Sequence, residues 1–171
     1  RHGAQQRRPG DVTPRRPVPS NAAACYSIGD LRALARSRLP RAVFDFYDGG
    51  AEDELTLERN SAAWRRWQLL PRVLVNVAES STKCVLLGES AAMPAAIAPT
   101  GAAGFGCRTA DVGLARAAAD MGIPYTLSSS ATTSIETIAR EAPGRHWFQA
   151  YVLRNQSFFE SLIERARAAD Y

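Results

Sequence analysis

Histidine and cysteine are scarce in this chain of 171 residues, and their placement excludes several classes of protein. The only histidines are His2 and His146, and the three cysteines, Cys25, Cys84 and Cys107, lie far apart without a C-x-x-C pair. No His/Cys cluster has the spacing of a zinc site, and an odd number of separated cysteines provides no disulfide framework. We therefore expect no metal and a reducing, cytoplasmic compartment.

The chain also lacks a long apolar run and, in its main part, any surplus of charge. No stretch of 18 or more apolar residues is present, which argues against a membrane-spanning helix. The formal net charge of +4 equals that of residues 1–24, because residues 25–171 contain 16 basic and 16 acidic residues. A neutral body with a basic tail is not typical of a nucleic-acid-binding domain. We predict a disordered basic leader over residues 1–24, rich in proline and arginine, and a folded part over residues 25–171.

Three helices are predicted in the first part of the folded region. Ser27 is a candidate N-cap, with Asp30 in the first turn, and apolar residues follow at helical spacing as far as Leu39. Pro40 can open a second short helix, which Gly49 and the glycine after it stop. A third helix is expected over residues 52–67.

From residue 82 onward, apolar runs of strand length alternate with helical patterns. Strands are predicted at 82–87, 95–99, 125–128 and 147–152, and helices at 111–121, 133–141 with a capping box of Thr133 and Glu136, and after Asn155. The β-α order from residue 95 is typical of parallel α/β architecture. A complete eight-stranded barrel needs about 250 residues. The chain therefore contains about three βα units of an incomplete TIM (β/α)8 barrel, preceded by a small helical region, or it forms a small open sheet.

Three short segments with potential chemistry follow predicted strands, at the face where barrel enzymes have their active sites. Pro99, Thr100 and Gly101 can let a flat ligand approach the backbone, or they can form an ordinary turn. Ser128, which begins a run of three serines, can hydrogen-bond the polar edge of a cofactor, or the run can cap the next helix.

The third segment contains Gln149 and Tyr151, which are expected on the same side of one strand because side chains alternate along a strand. Two inward polar side chains are costly without partners, so they indicate either a bound ligand or a hydrogen-bonded core. A fourth stretch, residues 43–54, indicates by itself only a helix end followed by an acidic helix start. His146, before the last strand, is assigned a structural or surface role.

Together, in this order and spacing, these four segments resemble the FMN-dependent 2-hydroxy-acid dehydrogenase/oxidase family, with its glycolate oxidase, lactate dehydrogenase and mandelate dehydrogenase types. The resemblance covers residues 26–170 and rests on D-F-Y-D-G-G-A-E-D-E, M-P-A-A-I-A-P-T-G, G-I-P-Y-T-L-S-S and W-F-Q-A-Y-V-L-R. It implies a TIM barrel with FMN over the carboxyl ends of its strands. It also implies oxidation of an L-2-hydroxy acid, similar to lactate or mandelate, to the 2-oxo acid.

The resemblance assigns five residues to the cofactor. Pro99, Thr100 and Gly101 would run along the flavin near its reactive nitrogen. Ser128 and Gln149 would hydrogen-bond the pyrimidine edge of the ring. No catalytic residue is assigned, because the family's proton-abstracting histidine, its flavin-side lysine and its substrate arginines belong to later strands. We expect the chain to be a truncated N-terminal part that is inactive alone, the alternative being a non-catalytic product.

Two residues are assigned to the substrate by the same resemblance. Tyr151 would reach the substrate side of the flavin, and Phe46 stands where the family has a tyrosine that contacts the substrate carboxylate. Phe46 has no hydroxyl, and the adjacent Tyr47 lies about 100° further around a helix, so it is a poor substitute.

The electron acceptor and the partners are also implied by the resemblance. The position of Gly101 is commonly alanine in the oxidases and glycine in several dehydrogenases. This favours a dehydrogenase that passes electrons to a quinone or a carrier protein, with an oxygen-using oxidase as the alternative. We expect a small 2-hydroxy acid as substrate, no nucleic-acid partner and a homo-oligomer of the complete protein. The expected location is cytoplasmic, with peripheral association with the inner membrane as a further option.

Overall fold

A computed structural model describes residues 17–171. These residues divide into two compact units, of which the first ends at Ala51 and the second covers Glu52–Tyr171. Most of the predicted basic leader, residues 1–16, lies outside the described residues. Within the rest of it, Ala22–Ala24 forms one 3-10 turn, which the side chain of Asn21 caps by accepting from the backbone N–H of Ala24.

Between residue 17 and Ala51, the first unit contains the α-helices α1 (Ile28–Arg38) and α2 (Arg41–Asp48). The predicted cap of α1 is confirmed, because Ser27 Oγ accepts from the backbone N–H of Asp30 at 3.1 Å. The two helices are joined by an ion pair in which Arg32 Nη2 donates to Asp48 Oδ2 at 2.8 Å. This guanidinium lowers the pKa of the Asp48 carboxyl below its ordinary value.

The second unit begins with helix α3 (Leu55–Trp64), which is shorter than the predicted range of 52–67. Glu52 and Glu54 have φ values of 51° and 58°. These left-handed conformations are incompatible with a continuous right-handed helix, so α3 begins only at Leu55.

An antiparallel hairpin follows, formed by β1 (Cys84–Leu86) and β2 (Glu89–Ala91). The turn places Leu87 and Gly88 at φ values of 47° and 86°, which is the conformation that two-residue hairpin turns require. Only the first of these strands was predicted from the sequence. The second contains Glu89 and Ser90 and has no apolar alternation that would have indicated a strand.

The remaining elements are α4 (Ala110–Asp120), β3 (Tyr125–Ser128), α5 (Ile135–Glu141), β4 (His146–Gln149) and α6 (Gln156–Ala168). Strands β3 and β4 pair in parallel, with Tyr125 opposite His146 and Ser128 opposite Gln149. The alternating order of strands and helices therefore agrees with the predicted α/β class. The range predicted for β3 matches the observed strand.

The strand predicted at 95–99 is wrong as an extended element, because only Ile97 forms a parallel bridge, to Tyr125. Ile97 donates to Pro124 O at 2.9 Å and accepts from the Thr126 N–H at 3.0 Å. Prolines 94 and 99 flank this bridge and have no N–H to donate, which limits the ladder.

The boundaries of β4 and α5 also differ from the prediction. Strand β4 begins at His146 and ends at Gln149, three residues before the predicted end, so Tyr151 lies outside it. Helix α5 is capped by Ser134 rather than Thr133, since Ser134 Oγ accepts from the Thr137 N–H at 3.2 Å. A cap bonds the N–H two or three residues further on, and Ser134 is the residue directly before this helix.

The core of the second unit lies between the parallel strands and the helices that follow them. Leu127 and Ile138 are buried at 1% and 0% exposure, and Ala115 and Ala118 give α4 a small-residue face against them. His146 is also buried, with Nε2 at 2.9 Å from Ala142 O, and burial lowers its pKa. These contacts agree with a structural role for His146.

Candidate functional site

Ser128 and Gln149, both predicted to bind the cofactor, meet at the carboxyl ends of β3 and β4. Ser128 Oγ donates to Gln149 Oε1 at 3.2 Å, and the backbone N–H of Ser129 donates to the same oxygen at 3.3 Å. Ser128 is buried, whereas Gln149 is only partly buried. With Oε1 engaged, the amide Nε2 of Gln149 has no acceptor within residues 17–171 and is available to donate to a ligand.

Gly101 lies against the same serine loop. The neighbouring residue Ala102 donates its N–H to Ser130 O at 2.9 Å. A Cβ atom on Gly101 would lie 3.2 Å from Ser130 Cβ and 3.8 Å from Ser128 Oγ, so the absence of a side chain permits the close approach. The structure therefore brings Gly101, Ser128 and Gln149 together, while Pro99 and Thr100 are exposed just ahead of them.

The two residues predicted to contact the substrate, Tyr151 and Phe46, are both exposed. Tyr151 follows β4, is 61% exposed and lies beyond the strand whose alternation was expected to place it beside Gln149. That argument from alternation is wrong for Tyr151, because the ladder ends at Gln149. Phe46 belongs to helix α2 of the first unit, is 64% exposed and contacts Tyr47 edge-on at 5.4 Å between ring centroids.

A buried carboxylate beside the site was missed by the sequence analysis. Asp111, in the first turn of α4, is 1% exposed and accepts from Thr132 Oγ1 at 2.8 Å, from the Thr132 N–H at 3.2 Å and from Tyr125 OH at 3.3 Å. Burial, together with the Asp111 charge, raises the pKa of Tyr125 far above its ordinary value. A signal was present in the sequence, since Asp111 shares the helix face of the buried Ala115 and Ala118.

Neither a metal cluster nor a membrane span occurs in the part of the chain that the structure describes. Residues 17–171 contain no group of three His, Cys, Asp or Glu side chains arranged to hold a metal ion. Within the same residues, no helix combines the length and the apolar character needed to cross a bilayer.

Comparison with known proteins places the chain in a family. The family of FMN-dependent dehydrogenases matches residues 35–171. The chain therefore belongs to the FMN-dependent 2-hydroxy-acid dehydrogenase family, whose members are enzymes with FMN as cofactor. This agrees with the resemblance carried by the four sequence segments.

Individual relatives act on small hydroxy acids, according to their names. The L-lactate dehydrogenase of Pseudomonas syringae pv. syringae is 43% identical over 143 residues, covering 84% of this chain and 38% of the relative. The (S)-mandelate dehydrogenase of Pseudomonas putida, a membrane-associated protein solved as a soluble mutant, is 38% identical with a TM-score of 0.79, covering 84% of this chain and 41% of that one. A mandelate oxidase is 37% identical with a TM-score of 0.78, covering 84% and 42%. The chain thus matches the N-terminal portion and spans about two fifths of the length of these relatives.

The residues at the strand ends fit an FMN ring. The pyrimidine edge of a flavin presents carbonyl oxygens, and the free Nε2 of Gln149 is a matching donor whose orientation is set by the bonds to Oε1. Gly101 has no side chain, and its backbone therefore packs against the serine loop beside this donor, where a Cβ atom would lie 3.2 Å from Ser130 Cβ.

Proposed function

We propose that this chain is the N-terminal part of an enzyme that oxidises an L-2-hydroxy acid, similar to lactate or mandelate, to the 2-oxo acid. In this proposal the β-α units form the first part of a TIM barrel that later strands complete, and FMN held at their carboxyl ends would supply the acceptor for the hydride of the α-carbon. The observation that carries the proposal is the meeting of Ser128, Gln149 and Gly101 at the carboxyl ends of the parallel strands, where barrel enzymes bind their ligands.

Gln149 and Ser128 would hold the pyrimidine edge of the ring. Because Ser128 and Ser129 fix Oε1 of Gln149, its amide group is oriented before the cofactor arrives, and less conformational entropy is lost on binding. Pro99, Thr100 and Gly101 would run along the ring.

The family resemblance assigns two residues to the substrate, Tyr151 and Phe46. Tyr151 is exposed directly after the strand that ends in Gln149, so its hydroxyl is available to a ligand at that strand end. Phe46 is exposed as well and presents an apolar ring, which favours a substrate with a bulky or aromatic side chain over a small one.

The proton chemistry would need residues that this chain does not contribute. The groups at the proposed flavin site are hydroxyls, an amide and backbone, and none of these titrates near neutral pH. A general base must be positioned within hydrogen-bond reach of the substrate hydroxyl. We therefore assign no catalytic residue here and expect residues 1–171 alone to be inactive.

For the electron acceptor, we propose a quinone or a carrier protein. The (S)-mandelate dehydrogenase among the relatives is membrane-associated, which supports this choice and a peripheral membrane association. We further propose that the complete enzyme is cytoplasmic and homo-oligomeric, and peripheral on the inner membrane. The mandelate oxidase among the solved structures supports the alternative, which is transfer to oxygen. Mixing the substrate-reduced full-length enzyme separately with oxygen and with a quinone analogue separates the two. Faster reoxidation by oxygen at comparable concentration would contradict the dehydrogenase assignment.

The central proposal is tested by flavin binding and reduction in the full-length protein. Anaerobic L-lactate or (S)-mandelate should bleach the visible flavin absorbance, whereas the opposite enantiomers should not. Gln149→Leu should weaken FMN binding about tenfold, because it removes the oriented donor. Gln156→Leu, which changes the same residue type at the exposed start of α6, is the matched control and should leave binding unchanged. Failure of the wild type to bind FMN, or equal effects of the two variants, would refute the assignment.

A further inference from the structure

We propose that Asp111 is a positioning residue that holds the two loops of the flavin site in register, acting through the hydroxyl of Thr132. The first loop, residues 99–109, contains Gly101, and the second, residues 129–134, follows Ser128. This inference rests on the proposed function, because it concerns the geometry in which those residues would meet FMN.

The Thr132 hydroxyl connects the carboxylate to the first loop. Thr132 Oγ1 donates to Asp111 Oδ2 at 2.8 Å and accepts from the backbone N–H of Gly104 at 3.0 Å. A hydroxyl has one proton to donate. With this proton directed at Asp111, a lone pair is left facing Gly104, so the carboxylate sets the direction of the bond that holds the first loop.

Asp111 is itself fixed in place by burial and by its other partners. The carboxylate is 1% exposed and also accepts from the Thr132 N–H at 3.2 Å and from Tyr125 OH at 3.3 Å. A buried carboxylate is costly unless donors surround it, and its place in the first turn of α4 is favourable for negative charge. Movement of the second loop would remove two of these donors at once, so Asp111 resists such movement.

The bonds through Thr132 lie next to the residues proposed to contact the flavin. Ala102 donates to Ser130 O at 2.9 Å, and two residues further along each loop Gly104 donates to Thr132. Gly101 packs closely against Ser130, because a Cβ atom on Gly101 would lie 3.2 Å from Ser130 Cβ. Loss of the Gly104–Thr132 hydrogen bond would therefore let Gly101 move relative to Ser128. The two residues would then no longer have the relative position in which they would contact the flavin ring.

The experiment measures FMN affinity and thermal stability of the full-length apo-protein in four variants. Thr132→Val keeps the shape of the side chain and removes its hydroxyl, whereas Thr132→Ser keeps the hydroxyl and removes the methyl group. Asp111→Asn keeps the size and removes the charge and one acceptor. Ser134→Ala is the matched control, because it removes a hydroxyl in the same loop that caps α5 and contacts neither Gly104 nor Asp111.

We expect Thr132→Val to weaken FMN binding about tenfold, because the Gly104 N–H loses its acceptor and Asp111 loses a donor. Thr132→Ser should bind FMN like the wild type, and Ser134→Ala should lower the melting temperature without changing FMN affinity. Should Thr132→Val fail to fold, Asp111→Asn decides the question by a severalfold loss of affinity in a protein that still melts cooperatively.

Two results would overturn the inference. One is that Thr132→Val and Asp111→Asn lower the melting temperature but bind FMN as tightly as Ser134→Ala does. The hydrogen-bond network would then be purely structural. The other is that Thr132→Ser binds FMN as weakly as Thr132→Val, which would show that the hydroxyl is not the relevant group. Absence of FMN binding by the wild type would instead refute the proposed function itself, and this inference with it.

Discussion

Gly104→Ala is expected to destabilise the second unit, because the space beside Gly104 is already filled. A Cβ atom at this position would lie 2.2 Å from Thr132 Oγ1, 2.8 Å from Thr132 Cβ and 3.1 Å from Thr132 Cγ2. The first two distances are shorter than any that real Cβ atoms show. Thr132 is β-branched, so its atoms cannot withdraw as the end of a long flexible side chain would.

The magnitude follows from the hydrogen bonds that must be lost when Thr132 moves. Displacement breaks the bond from the Gly104 N–H and weakens the one to the Asp111 carboxylate. A neutral hydrogen bond contributes about 1 kcal/mol and one to a charged group about 1.5–3 kcal/mol. The reduced entropy of an unfolded chain with alanine offsets this by about 0.4–1 kcal/mol. The expected loss in the free energy of unfolding is therefore about 2 kcal/mol.

The assay is thermal and denaturant unfolding of the full-length apo-protein, with Gly113→Ala as the control. Gly113 lies within α4, and a Cβ atom added there would meet no other atom within 4 Å, so alanine should stabilise the helix by about 0.5–1 kcal/mol. All three close contacts at Gly104 come from the Thr132 side chain, so the cost of Gly104→Ala should largely disappear in a Thr132→Gly background. The reasoning fails if Gly104→Ala is neutral, or if its cost is the same in both backgrounds.

Three further outcomes are expected. Burial lowers the pKa of His146, although its bond to Ala142 O opposes the shift, so the unfolded state binds a proton more readily than the folded state. The free energy of unfolding should therefore fall as the pH drops below about 6.5. Melting curves of His146→Phe should show a weaker dependence on pH. Phe46→Tyr should raise kcat/KM on a small hydroxy acid such as lactate, since a hydroxyl bonded to the substrate carboxylate contributes about 1.5–3 kcal/mol; an unchanged or lower kcat/KM would place the carboxylate elsewhere. Residues 1–171 alone should aggregate, because Leu69, Leu70 and Leu74 are 90% exposed or more, and a sharp monomeric unfolding transition would contradict this. They should also show no flavin-dependent turnover, because no general base is assigned among them.

Elements that depend on short-range bonds were predictable from the sequence. Ser27 caps α1 and Asn155 caps α6, each by accepting from an N–H three residues ahead. The range of β3 also follows from its own residues, a short apolar run between a proline and a serine cluster. In each case the groups that decide the structure lie within a few positions of one another, so a local pattern contains the necessary information.

The proposed flavin site was predictable only in part. The residue types at positions 101, 128 and 149 were recognised from short motifs, whereas the pairing of Ser128 with Gln149 depends on the register of two strands 21 residues apart. The end of β4 before Tyr151 depends on where its partner strand stops pairing, which no pattern within residues 147–152 reveals.

The sequence by itself determined the alternation of strands and helices, the helix caps and the family, because these depend on local periodicity and on motifs read along the chain. Only the tertiary structure decided that Ile97 forms a single bridge, that Asp111 is buried, and that Thr132 connects it to Gly104. The physical reason is that a carboxylate can be buried only where donors from other segments surround it. Thr132 and Tyr125 are brought to Asp111 from 21 and 14 residues away by the packing of α4 against β3 and the loop that follows it.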